Sequence, residues 1–169
     1  MADLVRFVAY DRGWADAFEA EKALLEPILT PWLAGDIHHV GSTSVPGLAA
    51  KPVIDILAEV RSLEESRDAI APLEKLTYWW APYEEELMNW FCKPSLEHRT
   101  HHLHLVVPGS RAWREELTFR DALRAQPDTA RAYEDLKRRL ADEHSRNREA
   151  YTVAKTEFIE HVLARESAS

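Results

Sequence analysis

The stretch HHVGSTSVPGLAAKPVIDI, residues 38–56, decides how the rest of the chain is read. A strand predicted over residues 36–40 runs into Gly41, and Ser42-Thr43-Ser44-Val45-Pro46-Gly47 is too rich in turn formers to continue it. The chain returns over residues 52–60 as PVIDILAEV, β-branched and almost wholly apolar, the pattern of a central strand covered on both faces. Asp55 stands inside that run, and a carboxylate there is costly to bury unless it is paired, binds a metal, or lies at the open end of the strand beside a ligand. Glycine at position 41 permits close backbone approach. Nearby amides, with the hydroxyls of Ser42, Thr43 and Ser44, can hold an anion such as phosphate.

Working outward, residues 12–29 place Trp14, Phe18, Leu25 and Leu29 on one helical face, with Pro31 as the stop signal. On the other side, Ser62 and Glu65 form a capping-box pattern that opens a helix to about residue 76. Residues 77–83, 87–93 and 100–107 read as three strands forming an antiparallel meander beside the central strand, with Trp79 and Trp80 on opposite faces. After Pro108-Gly109-Ser110 the pattern turns helical over 111–125, 127–143 and 145–165, broken at Gln126-Pro127 and around His144-Ser145, with Pro127 at a first helical position. Residues 166–169 read as a tail.

At 169 residues the chain supplies one core, so residues 1–165 are read as a single domain. Its formal charge is 21 − 29 = −8 without a long block of either sign, which argues against a long nucleic acid as partner. The lone Cys92 has no disulfide or zinc partner and reads as a small core residue in a reducing compartment. No basic leader and no run of 18 apolar residues is present, so a soluble cytoplasmic protein without membrane contact is expected. Composition leaves the oligomeric state open.

Gly41-Ser42, followed after twelve intervening residues by Asp55, is similar to the signature of the polymerase-beta-like nucleotidyltransferases. The wording GSTSVPGLAAKPVIDI resembles the GrpB family, and the likeness continues through THHLHLV at 100–106, FRDALR at 119–124, AYEDLK at 132–137 and YTVAKTEFI at 151–159. The resemblance implies an α/β fold of the α+β kind: a nucleotidyltransferase-like mixed, mostly antiparallel sheet of about five strands. An N-terminal helix would lie on one face, and a C-terminal helical part would close a cleft over the strand ends. It further implies a nucleotide or another phosphorylated small molecule as substrate, and a divalent metal, Mg or Mn, held by Asp55.

Two-metal nucleotidyl transfer needs a second acid. Two residues after Asp55 stands Leu57, and the next acid on that face, Glu59, is about 13 Å away by strand rise and reads as a strand-end surface acid. His102 and His104 share one face of their strand, opposite His101, Leu103 and Leu105. With Asp55 they would suit a transition metal better than magnesium, or either could act as a general base. Arg120 with Arg124, Lys137, and Tyr151 with Lys155 lie in segments that resemble the family and are candidates for holding phosphate, as is Lys51 at the loop's return. His38, His39 and His98 read as surface or rim. Two further readings stay open: a non-catalytic ligand-binding module of the same fold, and a different metal-dependent enzyme using Asp55, His102 and His104 on a small metabolite.

Overall fold

The computed structural model describes residues 6–143 and 148–169; the helix start predicted at Ser145 and the break at His144-Ser145 lie outside them. Helix α1, Gly13–Leu29, begins where the Asp11 carboxylate accepts the Gly13 amide at 2.7 Å. Its buried stripe is Trp14, Phe18, Glu21, Leu25 and Leu29. Strand β1, Leu33–Val40, starts earlier than predicted, and β2 spans Ile54–Val60.

The helix predicted up to residue 76 is broken into α2, Leu63–Ser66, a 3-10 turn at Arg67–Ala69, and α3, Ile70–Glu74. Pro72 has no N–H to donate back to the carbonyl of Asp68, and the ladder loosens into the 3-10 turn at that residue. Ser62 caps α2 by accepting the Glu65 amide at 3.2 Å. Strand β3 is reduced to Trp79–Ala81, because Thr77 turns the chain at φ 64° before it and Pro82 lacks a ladder donor after it. β4, Asn89–Pro94, and β5, Arg99–Val106, follow.

Among the described residues these five strands form one mixed sheet in the order β1-β2-β5-β4-β3. Three pairings are antiparallel, but β2 and β5 run parallel, with Asp55 opposite His102 and Leu57 opposite His104. The meander is therefore present, yet it joins β2 through a parallel seam, and β5 rather than β2 is the middle strand. α4, Arg111–Ala125, α5, Pro127–Glu143, and α6, Arg148–Ser167, complete the chain. No helix among the described residues is long and apolar enough to cross a membrane.

Period-2 alternation sorts the sheet into two faces. Ile37, Ile54, Ile56, Ala58, Val60, Phe91, Leu103 and Leu105 pack under α1 with Leu73 and Tyr78. Buried Glu21 ties α1 to this face, accepting from Tyr78 Oη at 2.7 Å and from Lys93 Nζ at 2.6 Å. The opposite face carries Val40, Leu57, Met88, Trp90, Cys92 and Val106 under Ala112, Trp113 and Leu117 of α4. A third cluster, Val45, Leu48, Leu123, Ala130 and Tyr133 with Phe119, Phe158 and Ile159, clamps the 42–48 loop against α4, α5 and α6.

Candidate functional site

Strand register creates the site. Val40, Asp55, His102 and Cys92 are successive cross-strand partners over β1, β2, β5 and β4, so they form one row on the α4 face; His38, Leu57, His104 and Trp90 form the next. Two residues 47 positions apart thereby meet: His102 Nδ1 donates to Asp55 Oδ1 at 2.9 Å. Burial is the strongest single influence and works to raise the Asp55 pKa, but the His102 hydrogen bond and the charges of His102, His104 and Lys155 together outweigh it, and the carboxyl is held below its ordinary range.

His104 is oriented from above, its Nδ1 donating to Glu116 Oε1 of α4 at 2.8 Å. Burial pulls the His104 pKa down; the Glu116 charge and hydrogen bond, with Asp55 behind them, leave it raised. His102 Nε2, His104 Nε2 and Glu116 Oε2 are buried and meet no hydrogen-bond partner among the described residues. Unsatisfied buried imidazole nitrogens are rare and costly. Asp55, His102 and His104 together form a cluster that could hold a metal ion, one ligand atom of each lying within 4.8 Å of the others. Two imidazoles and one carboxylate fit manganese, iron or zinc better than magnesium, and Glu116 behind His104 is the carboxylate–histidine support common in such centres.

The loop supplies the other half. Gly41 sits at φ 73°, and a Cβ there would fall 2.3 Å from Asp55 Oδ2, so glycine is required for the loop to press against the carboxylate. Half-buried Ser42 accepts from Lys137 Nζ at 2.7 Å. Lys137 is 5% exposed, lies 4.6 Å from the Tyr133 ring centroid, and has its pKa lowered to about 8 by burial and by the Lys155 charge, against the attraction of Asp55. Lys155 is likewise lowered by burial, with Asp55 opposing, and its ammonium lies 5.9 Å from the Tyr151 ring. Two lysines thus face one carboxylate across the loop, with no acid in hydrogen-bonding contact with Lys137 among the described residues.

The remaining candidates do other work. Thr43 Oγ1 donates to Val53 O at 3.0 Å and Ser44 Oγ donates to Gly41 O at 2.5 Å, so both hydroxyls are spent holding the loop. Arg120 Nη1 donates to His39 O and Arg124 Nε to Ser44 O, bracing the loop's backbone from outside. Lys51 is exposed.

His39, expected at the rim, is buried and stacked 4.8 Å from Phe18. Because the Thr43 proton goes to Val53 O, His39 Nε2–H donates to Thr43 Oγ1, and burial, aided by the two arginines, drives its pKa to about 4. Glu59, expected as a surface acid, is mostly buried and accepts from Trp113 Nε1 at 2.9 Å and His38 Nε2 at 2.7 Å. Leu57, fully buried in its apolar cluster, closes the position a second strand acid would need.

Glu116 was not legible as a site residue from its own surroundings, REELTF. Trp113, Glu116, Arg120 and Arg124, one helical stripe turned toward the sheet, were the available signal.

The family model described as GrpB protein matches residues 4–165. The chain is 41% identical to the UPF0157 protein PA4798 of Pseudomonas aeruginosa over 99% of this chain and 69% of that protein. It is 35% identical to the glutamate-rich protein GrpB of Alkalihalophilus pseudofirmus over 94% of each. With the UPF0157 protein YqkA of Bacillus subtilis the identity is 38% over 92% of this chain, which spans 45% of that protein's length. A crystal structure of the conserved protein GrpB from Enterococcus faecalis superposes with a TM-score of 0.83 at 29% identity, covering 95% of this chain and 99% of that one.

Proposed function

The chain belongs to the GrpB family, and from that premise we propose that it is a metal-dependent protein acting on a phosphorylated small molecule, with Asp55, His102 and His104 as metal ligands. The observation that carries this reading is the pair of buried, unpartnered imidazole nitrogens of His102 and His104 beside the ionised Asp55. A bound transition metal would supply Lewis acidity toward a phosphoryl oxygen or a bound water.

The chain's own groups then have separable tasks. Lys137 and Lys155 attract the anion, and Ser42, which accepts from Lys137, has its own hydroxyl proton to give the ligand. Glu116 fixes the His104 ring and its tautomer, and the Asp55 carboxylate keeps His102 Nδ1 protonated. Arg120 and Arg124 hold the loop so that these groups keep their spacing. Nucleotidyl transfer by two magnesium ions is disfavoured by Leu57, whereas a single transition-metal centre asks for no second strand acid.

The test is calorimetry with Mn2+ or Zn2+ on metal-stripped protein. One ion per chain is expected, with loss of binding in a His102→Ala/His104→Ala double variant. Binding unchanged in that variant, or none in the wild type, would overturn the assignment.

A further inference from the structure

The three hydroxyls of the 42–44 turn differ in what they meet. Thr43 and Ser44 donate to main-chain carbonyls, whereas half-buried Ser42 receives the Lys137 amine at 2.7 Å, from a residue 95 positions away in α5. Ser42 also stands directly after Gly41, whose φ of 73° swings the chain out of β1 and into the 3-10 turn. A serine on so sharp a strand-to-helix junction has its Oγ pushed forward from the main chain, the placement that presents a nucleophile.

Lys137 is buried, its Nζ 4.6 Å from the Tyr133 ring centroid and 5.3 Å from that of Phe7. Two rings and a hydroxyl therefore surround an amine that has no acid in hydrogen-bonding contact among the described residues. Burial and then the Lys155 charge of α6 bring its pKa down to about 8, and Arg138 of its own helix adds to them, while Asp55 of β2 and Glu134 of α5 pull the other way. About one Lys137 in ten is then neutral at pH 7. A neutral amine at this distance from a hydroxyl accepts its proton instead of donating. The Tyr133 phenol is the third member, hydrogen-bonded to Ser42 and lying under the Lys137 amine. A hydroxyl, an amine within its reach and a group that orients both is the general form of an activated nucleophile.

We propose that Ser42 is a catalytic nucleophile and Lys137 its general base, so that a phosphate monoester is cleaved through a phosphoserine and not by direct attack of water. The inference rests on the reading of the site as one for a phosphorylated small molecule and adds its mechanism. Ser42 Oγ bonds to phosphorus as its proton passes to Lys137 Nζ; the P–O bond to the alcohol breaks, and Lys137 hands the proton to the departing oxygen. Water then attacks the phosphorus, its proton returns through Lys137 to Ser42 Oγ as that P–O bond breaks, and inorganic phosphate leaves.

An alkyl fluorophosphonate tests this on the whole chain as purified, since its phosphorus takes the serine oxygen, releases fluoride and leaves a stable adduct that peptide mass spectrometry locates. The adduct should form on Ser42, at a rate that climbs about tenfold per pH unit and levels near pH 8. Lys137→Arg keeps a cation for the anion but has no neutral amine to offer. It should cut the rate at least about a hundredfold while phosphate still binds by calorimetry. No adduct on Ser42, a rate that is flat below pH 8 or still climbing past about pH 9 as hydroxide's own attack does, or an arginine variant that reacts as fast as wild type overturns the dyad. The wild-type pH profile decides by itself if arginine does not fit the buried position, which a thermal melt reports. Metal titration of the same samples reads the cluster independently: metal bound without adduct leaves the metal centre standing and sinks the dyad, and adduct without metal does the reverse.

Discussion

At Gly41 the main chain occupies a left-handed region beside the Asp55 carboxylate. Gly41→Ala should cost about 1–2 kcal/mol of backbone strain and, because the new methyl group overlaps the carboxylate, also push Asp55 away from His102. Urea denaturation measures the first effect, and the His102 imidazole shift in an NMR titration measures the second. Lys137 offers a pH prediction whose sign follows from its depressed pKa. Between about 8, the folded value, and the ordinary 10.5, the unfolded chain holds a proton that the folded one releases. Stability is therefore lowest below pH 8 and recovers as pH rises toward 10.5, by about 3 kcal/mol at 1.36 kcal/mol per pKa unit. Lys137→Met should remove this dependence: the variant should unfold at higher urea than wild type at pH 7, the gap should close by pH 10.5, and phosphate affinity should fall. A variant less stable than wild type at pH 7 would show that the ammonium's contacts to Ser42 and Tyr133 outweigh its burial.

Among the elements, α4 does the most to shape the site, since one helical stripe carries Trp113 to Glu59, Glu116 to His104, Arg120 to His39 and Arg124 to Ser44. Glu116→Gln keeps the size and a hydrogen bond but removes the charge behind His104. Metal affinity should drop about 10–100-fold while the melting temperature of the metal-free protein changes little; calorimetry and a thermal melt read the two. The strands were legible because their patterns are local: the β-branched, apolar run at β2 and the alternation of His102 and His104 with Leu103 and Leu105 at β5 need no knowledge of neighbours. The parallel β2/β5 seam, the breakup of the helix after Ser62 and the role of Glu116 were not, because each depends on what lies across the fold. The same limit explains Glu59 and His39. Both are polar residues whose partners, Trp113 and Thr43, decide whether they face water, and in neither case does spacing along the chain reveal it. Thr43 and Ser44 look like Ser42 in sequence, and the 3-10 turn alone separates the hydroxyls that brace the loop from the one that meets Lys137.

For the molecule as a whole, the sheet and the C-terminal helices meet at the loop, and ligands that engage both should stabilise both. Metal at 100 times its dissociation constant should add about 2.7 kcal/mol, or roughly 5–10 °C in melting temperature for a chain of this size, in the wild type but not in Asp55→Asn. Phe158 of α6 stacks on Tyr133 of α5 at 5.4 Å. Phe158→Ala should loosen α6 and weaken phosphate binding through Lys155 without altering metal affinity, an outcome that parallel titrations of the two ligands would register. The parallel seam between β2 and β5 also bears on how the protein comes into being. Strand β1 can find β2, and β3, β4 and β5 can find one another, by short-range chain closure, but Asp55 meets His102 only after 47 residues have been looped back, a search whose entropic cost grows with loop length. The chemistry-bearing cluster thus lies on the junction between two locally assembled halves. Substitutions at Ile56 and Leu103, which face each other across that junction, should slow refolding in stopped-flow experiments more than equal truncations inside either half, making the meeting of Asp55 with His102 among the last events as the newborn chain folds.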